Sequence, residues 1–307
     1  MSMRADGSTA DRLSARRIKK KSEGERAQTL YAALNMGRRN GRQGPGAARL
    51  ETFFIFLLVG VLAQAVDGAL GMAYGVIANT VLLAFGVPPA TASASVHVAK
   101  IFTGAASGGS HLYHRNVQWS LFWPLTAGGV VGGIVGAYVL TGVDGDIIKP
   151  FILSYLLLIG VWVLYRAFGA RRPKGFNERY SSPLGVVGGF LDAIGGGGWG
   201  PVVTSTLVGA GAEPRRAIGT VNTAELFVTT AISVAFLAAL LTGRWAGGAL
   251  QDHAWAVGGL VVGGLMAAPF AGWITKIVPA RTLTFLVGGL IIALALYQGL
   301  QLAGIAP

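Results

Sequence analysis

The sequence predicts an all-α polytopic membrane protein built as two tandem repeats, with about eight net transmembrane spans and glycine-broken or re-entrant helices. Three observations carry this. The 307 residues are 52% hydrophobic and 12% charged, with a mean hydropathy of +0.57, whereas a water-soluble domain needs more charge to stay dispersed. Apolar runs recur from Phe53 to Leu302, several of them long enough to cross a bilayer. The third observation is repetition. Adding 125 to the residue numbers from Asp67 to Ala106 gives Asp192 to Ala231 without a gap, and Asp67/Asp192, Gly71/Gly196, Gly75/Gly200, Gly86/Gly211, Pro89/Pro214 and Phe102/Phe227 coincide. Apolar composition does not explain paired Asp, Pro and Phe at one offset. A duplicated, glycine-interrupted apolar unit that carries an acid points to a transporter whose site lies between two halves.

Residues 1–50 hold twelve Lys/Arg against four Asp/Glu, so a net +8 of the formal +12 sits in this segment. It reads as a basic, largely disordered cytoplasmic tail with at most one short helix around Ser22 to Leu34. Its expected roles are to set topology and touch anionic lipid. No nucleic-acid partner is expected.

The first membrane repeat covers 51–168. Its runs Phe53 to Val66 and Met72 to Phe85 are short and joined through DGALGMAYG, while Thr91 to Leu112, Trp119 to Leu140 and Ile147 to Phe168 reach the length of about 20 residues that a crossing needs. A polar linker, 169–182, follows. The second repeat, 183–307, has the same order: Leu184 to Ile194 and Trp199 to Ala210 joined through DAIGGGGWG, then Ala217 to Thr242, Ala254 to Thr275 and Leu283 to Leu302. Four consecutive glycines, Gly195 to Gly198, are too costly for a helix interior and predict a break. Such a break must be covered by protein or line a wet cavity. The glycines of Gly128 to Ala137 and Gly258 to Gly264 are assigned instead to close helix packing.

If each broken pair makes one net crossing, each half has four. The tail, the linker, Arg115 and Arg244 then share the cytoplasmic side, with Lys149, Arg215, Arg216, Lys276 and Arg281 opposite. Five crossings per half would invert the repeats and put the basic linker outside.

Ionisable groups inside apolar runs are the candidate coupling or structural charges: Asp67, Lys100, Asp192 and Glu225. Asp67 matches Asp192 and Lys100 matches Glu225. The aspartates could also cap the broken helices by accepting free amides, and Lys100 with Glu225 could form a scaffold ion pair. For the substrate, Ser93, Ser95 and His97 in one half correspond to Ile218, Thr220 and Asn222 in the other. With Gly219 and the amides of Gly196, Gly197 and Gly198 they supply the donors that a small oxyanion needs as its water is removed. Ser107 and His111 lie one turn apart on a single helix and do not make a serine protease site. With no cysteine, metal cluster or phosphate loop, no enzyme activity, metal or cofactor is expected.

The run DAIGGGGWGP followed by AIGTVNTAE, matched in the first half by ASASVHVAK and SGGSH, resembles the sulfite exporter TauE/SafE family, also called TSUP, over residues 53–302. The resemblance implies an inner-membrane permease that exports small sulfur-containing anions such as sulfite or sulfonates, and the basic tail implies a cytoplasmic N-terminus. It implicates Gly195 to Gly198, Pro201, Gly219, Thr220 and Asn222. Lys100 stands where the family often has an acid, a departure that favours an anion over a proton at that position. The expected mechanism is alternating access by a secondary transporter, a passive anion channel being the alternative. The expected partners are the anion, a coupling ion taken to be the proton, membrane lipid and, as an open option, a second copy in a homodimer.

Overall fold

In the computed structural model the described residues are 45–168, 176–245, 253–268 and 280–305. The expected helix around Ser22 to Leu34 and the basic residues Arg171, Arg172 and Lys174 lie outside them. Among the described residues the chain is helical and without strands. The elements are α1 (Pro45–Leu70), α2 (Tyr74–Ala84), α3 (Pro89–Tyr113), α4 (Trp119–Gly142), α5 (Gly145–Phe168), a short 3-10 turn at Glu178–Tyr180 and α6 (Ser181–Gly195). A π-turn at Gly200–Thr204 leads into α7 (Ser205–Ala210), and α8 (Pro214–Leu241), α9 (Ala254–Ala267) and α10 (Ala280–Leu302) complete the chain. The segment Thr52–Pro307 forms one unit.

Helix α1 begins well before the apolar run Phe53 to Val66: Pro45 stands at the first turn, and the helix formers Ala47, Ala48, Arg49, Leu50 and Glu51 outweigh Gly46. Its stretch Arg49–Asp67 is therefore long and apolar enough to cross a membrane unaided, as are α4, α5 and Arg215–Leu241 of α8. Helix α3 has the length but carries a polar face.

The path between the ends of the bundle follows from named contacts. At one end Phe53 of α1 meets Trp255 at the start of α9 (ring centroids 6.4 Å), and Phe56 meets Phe85, which caps α2 (5.4 Å). At the other end Arg215, opening α8, donates through Nε to Asn116 Oδ1 beyond α3 (2.7 Å). Gln118 and Ser120 at the start of α4 donate to Glu178 just before α6 (2.7 and 3.2 Å). Pair α1–α2 thus leaves and returns to the first end, and α6–α7 leaves and returns to the second. Helices α3 and α8, which occupy the same position in the two halves of the sequence, run antiparallel.

Among the described residues four helices are long and apolar enough to cross a membrane, where the loop-charge reading expects about eight net spans. A break at a glycine with positive φ reverses the chain here instead of carrying it across. Arg215 accordingly pairs with the residue next to Arg115, where the charge count had put the two on opposite sides. Helices α3, α4, α5, α8 and α10 run between the ends, while α9 runs from Trp255 at the first end as far as Gly264, beside Tyr74 and Thr103. Phe53 and the linker residue Glu178 lie at opposite ends.

Close packing uses the expected glycines. A Cβ at Gly128, Gly132 or Gly136 of α4 would collide with the backbone of α6 at Ser182, Val186 or Phe190, and one at Gly259 or Gly263 with α1 at Phe53 or Leu57. Small residues let these backbones touch where no hydrophobic force separates protein from lipid.

Candidate functional site

The two hairpins meet at their tips. Gly71 (φ +65°) and Gly196 (φ +68°) turn the chain at the same offset of 125 residues, and Ala73 (φ +104°) adds a second turn in the first tip. Gly75 lies so close to Gly196 and Gly197 that a Cβ on either side would overlap backbone of the other. Side chains tie the tips reciprocally: Asn79 Nδ2 donates to Gly195 O (2.7 Å), and Thr204 Oγ1 donates to Gly71 O (3.1 Å).

Each aspartate caps the break that follows it. The Tyr74 amide donates to Asp67 Oδ1 (3.1 Å), and the Trp199 amide donates to Asp192 Oδ1 (3.2 Å), seven residues on in both cases. These two amides face carboxylates, so they are not free for the anion that the sequence led us to expect at the glycine breaks. Capping in this way satisfies a helix-terminal donor that has no partner within its own helix.

Around Asp192 the side chains form a buried cluster. Lys100 Nζ donates to both of its oxygens (2.9 and 3.0 Å) and lies 2.7 Å from Glu225 Oε1. The side chains of Lys100 and Asp192 are 4% and 0% exposed, so each charge depends on the other. His97 Nε2 is 3.2 Å from Asp192 Oδ2, while His97 Nδ1 lies 2.7 Å from Ser93 O. A carbonyl only accepts, so Nδ1 carries a hydrogen. Nε2 then meets the Asp192 oxygen favourably only when one of those two groups carries a further proton.

Beside this cluster a cavity with about 10 Å³ for the centre of a water molecule is lined by Gln64, Asp67, Tyr74, Lys100, Thr103, Gly104, Ser107, Asn222 and Glu225. That is room for about one water. Asn222 Nδ2 donates to Ser107 Oγ (3.3 Å) and lies 3.4 Å from His111 Nε2.

The structure thus gathers Asp67, Lys100, Glu225 and Asn222 around one space, with Asp192 and His97 immediately behind Lys100. The other expected substrate residues lie apart from it. Ser93 Oγ donates to Ala193 O (2.5 Å), Ser95 Oγ is buried without a hydrogen-bond partner, Thr220 Oγ1 accepts from the Gln118 amide (2.9 Å), and Gly219 packs on Asn116. Gly196, Gly197 and Gly198 are buried in the tip contact, against Asn79, Val76 and Tyr155 respectively. Sequence reasoning missed Gln64, Tyr74, Thr103 and Ser107 as lining. For Ser107 a signal existed: Ser93, His97, Lys100, Gly104, Ser107 and His111 repeat at alternating steps of four and three, one continuous face of α3. Gln64 is an amide in an otherwise apolar run, one turn before Asp67.

A helical bundle with broken hairpins meeting at a buried charge cluster belongs to the membrane transporters, and the comparisons with known proteins agree. A model of the sulfite exporter TauE/SafE family matches residues 56–298, and the chain belongs to this family. It is 41% identical over 251 residues to a protein of Bacillus subtilis (strain 168) named "Probable membrane transporter protein YtnM", covering 79% of this chain and 81% of that one. No solved structure matches it.

Proposed function

We propose that this protein is a secondary transporter that exports small sulfur-containing anions such as sulfite or sulfonates from the cell by alternating access, with the proton as coupling ion. It sits in the inner membrane with its basic tail in the cytoplasm, because a segment with twelve Lys/Arg is costly to translocate. Its two halves are inverted repeats, each with three crossing helices and one re-entrant hairpin. The observation that carries this reading is the tip-to-tip contact of two capped chain breaks beside a buried cluster that joins α1, α3, α6 and α8. Discontinuous helices meeting between inverted halves are the usual site of ion and substrate in such carriers.

The anion is held around Asn222, with Ser107 and the Lys100 ammonium as further donors. His97, Ser93, Ser95, Gly219, Thr220 and Gly196 to Gly198 contribute as rocking of the halves opens the tips. Asn222 donates into the cavity and has no charge of its own, so Asn222→Leu removes a ligand without unbalancing the cluster. In proteoliposomes loaded with sulfite, thiosulfate, taurine or sulfoacetate, an imposed proton gradient should drive saturable flux of one or more of these, and Asn222→Leu should lower it while leaving size-exclusion behaviour intact. Flux that grows linearly with substrate and ignores the gradient would instead mean a passive channel. Wild-type flux in Asn222→Leu would remove Asn222 from the site.

A further inference from the structure

The matched positions of the two halves differ in charge, and the difference leaves Asp67 without a cation partner of its own. Lys100 reaches Asp192, the cap of the second break. Its counterpart Glu225 lines the same cavity as Asp67, the cap of the first break. Lys100 also meets Glu225 Oε1 (2.7 Å), so one ammonium serves two carboxylates and the third, Asp67, stands beside them in the same cavity. Asp192 is engaged by Lys100, His97 and the Trp199 amide, whereas among the described residues no cation lies within 4.0 Å of Asp67. The charged and titratable groups facing the pair are Lys100 and His111 on α3, Tyr74 on α2 and, behind Lys100, Asp192 on α6.

A second observation points to what occupies this cavity. Gln64 lines it, is 2% exposed, and its Oε1 has no hydrogen-bond donor. A buried acceptor left unpaired costs about 1–3 kcal/mol. Two carboxylates in so small a cavity repel each other, and a proton on one of them turns it into the donor that Gln64 lacks. Gln64 and Asp67, one turn apart on α1, share a face.

We propose that Asp67 and Glu225 share one exchangeable proton in this cavity, with Gln64 Oε1 accepting from it directly or through the single water the cavity admits. This rests on the transport reading above and names the residues that carry its coupling ion, with Asp192 engaged by Lys100. The step is proton transfer alone. An O–H bond forms at a carboxylate oxygen on the side from which the proton enters and breaks on the side where it leaves, and nothing is oxidised or reduced. The route toward the Arg215 end is marked by Ser107, Asn222, His111 and Asn116, each within 3.4 Å of the next.

Infrared spectra of the purified full-length protein across pH test the pair without requiring transport. The wild type should show the carbonyl stretch of a protonated carboxyl. The band should vanish in Asp67→Asn and in Glu225→Gln, persist in Asp67→Glu, and move to higher frequency in Gln64→Leu, where the acceptor is gone. Asp67→Asn should fold, because an asparagine oxygen still caps the Tyr74 amide. In proteoliposomes the same two acid-neutralising variants should lose proton-driven accumulation of the anion, and Asp67→Glu should restore it. A wild type without the band at any pH where it stays folded, a band that survives both variants, or one that sodium chloride abolishes at fixed pH overturns the proposal, the last by making a metal cation the occupant. If the band behaves as stated but the wild type moves no anion, the proton site stands and the transport reading fails. Wild-type coupling in Asp67→Asn sinks the proton site and leaves the transport reading intact.

Discussion

Asp192 shows what a single carboxylate can hold together. It caps a chain break, receives the Lys100 ammonium and meets His97, all without exposure to solvent. Breaking a buried ion pair by removing one partner is far more damaging than never having had it, because the remaining charge has nowhere to go; the loss is about 3–5 kcal/mol. Lys100→Met should therefore lower the melting temperature of the detergent-purified protein substantially. Lys100→Met combined with Asp192→Asn should recover part of the loss, since the asparagine carries no charge and its oxygen still accepts the Trp199 amide. Glu225→Gln should cost less than Lys100→Met, as Lys100 keeps Asp192. Equal melting temperatures for the single lysine variant and the double variant would show that the cluster is not governed by charge balance.

The hairpin tips are set by close approach more than by any side chain. At Gly197 a Cβ would overlap the backbone of Gly75 and Val76, whereas at Gly109 on α3 it would meet nothing within 4 Å. Gly197→Ala should thus abolish folded, monodisperse protein. Gly109→Ala should leave it unchanged or stabilise it by about 0.5–1 kcal/mol, the usual gain for alanine in a helix; fluorescence-detected size exclusion on heating reads both. The breaks were legible in the sequence because their signature is local: an acid, a glycine with freedom to turn, and the same pair 125 residues on. Asp67 and Asp192 as caps followed from that spacing too. What the breaks do to the path of the chain was not legible. A glycine at positive φ permits reversal as readily as continuation, and basic residues such as Arg115, Arg215 and Lys149 occur at both ends of the bundle, so charge could not decide. The cavity lining was read only in part, because the polar face of α3 passes through Gly104, which interrupts the pattern just before Ser107.

At the scale of the molecule, the proposed alternating access rests on the antiparallel arrangement of α3 and α8. When halves of like sequence enter from opposite ends, an arrangement in which one half is tilted has a near-equivalent partner with the roles exchanged, and the two open to opposite sides. In that proposal the exchange is not symmetric, because Lys100 and Glu225 differ in charge, and the two states would respond differently to protonation. This account requires that each hairpin return to the end it entered. The chain has no cysteine, so single cysteines can report that directly. Arg179 lies just before α6 and Arg216 opens α8, while Asp144 lies between α4 and α5. All three are exposed. With re-entrant hairpins, Arg179→Cys and Arg216→Cys react with a membrane-impermeant maleimide from the same face, and Asp144→Cys reacts from the other. If each hairpin instead made a net crossing, Arg216→Cys would label together with Asp144→Cys, and neither the inverted halves nor the meeting of their tips within the bilayer could be kept.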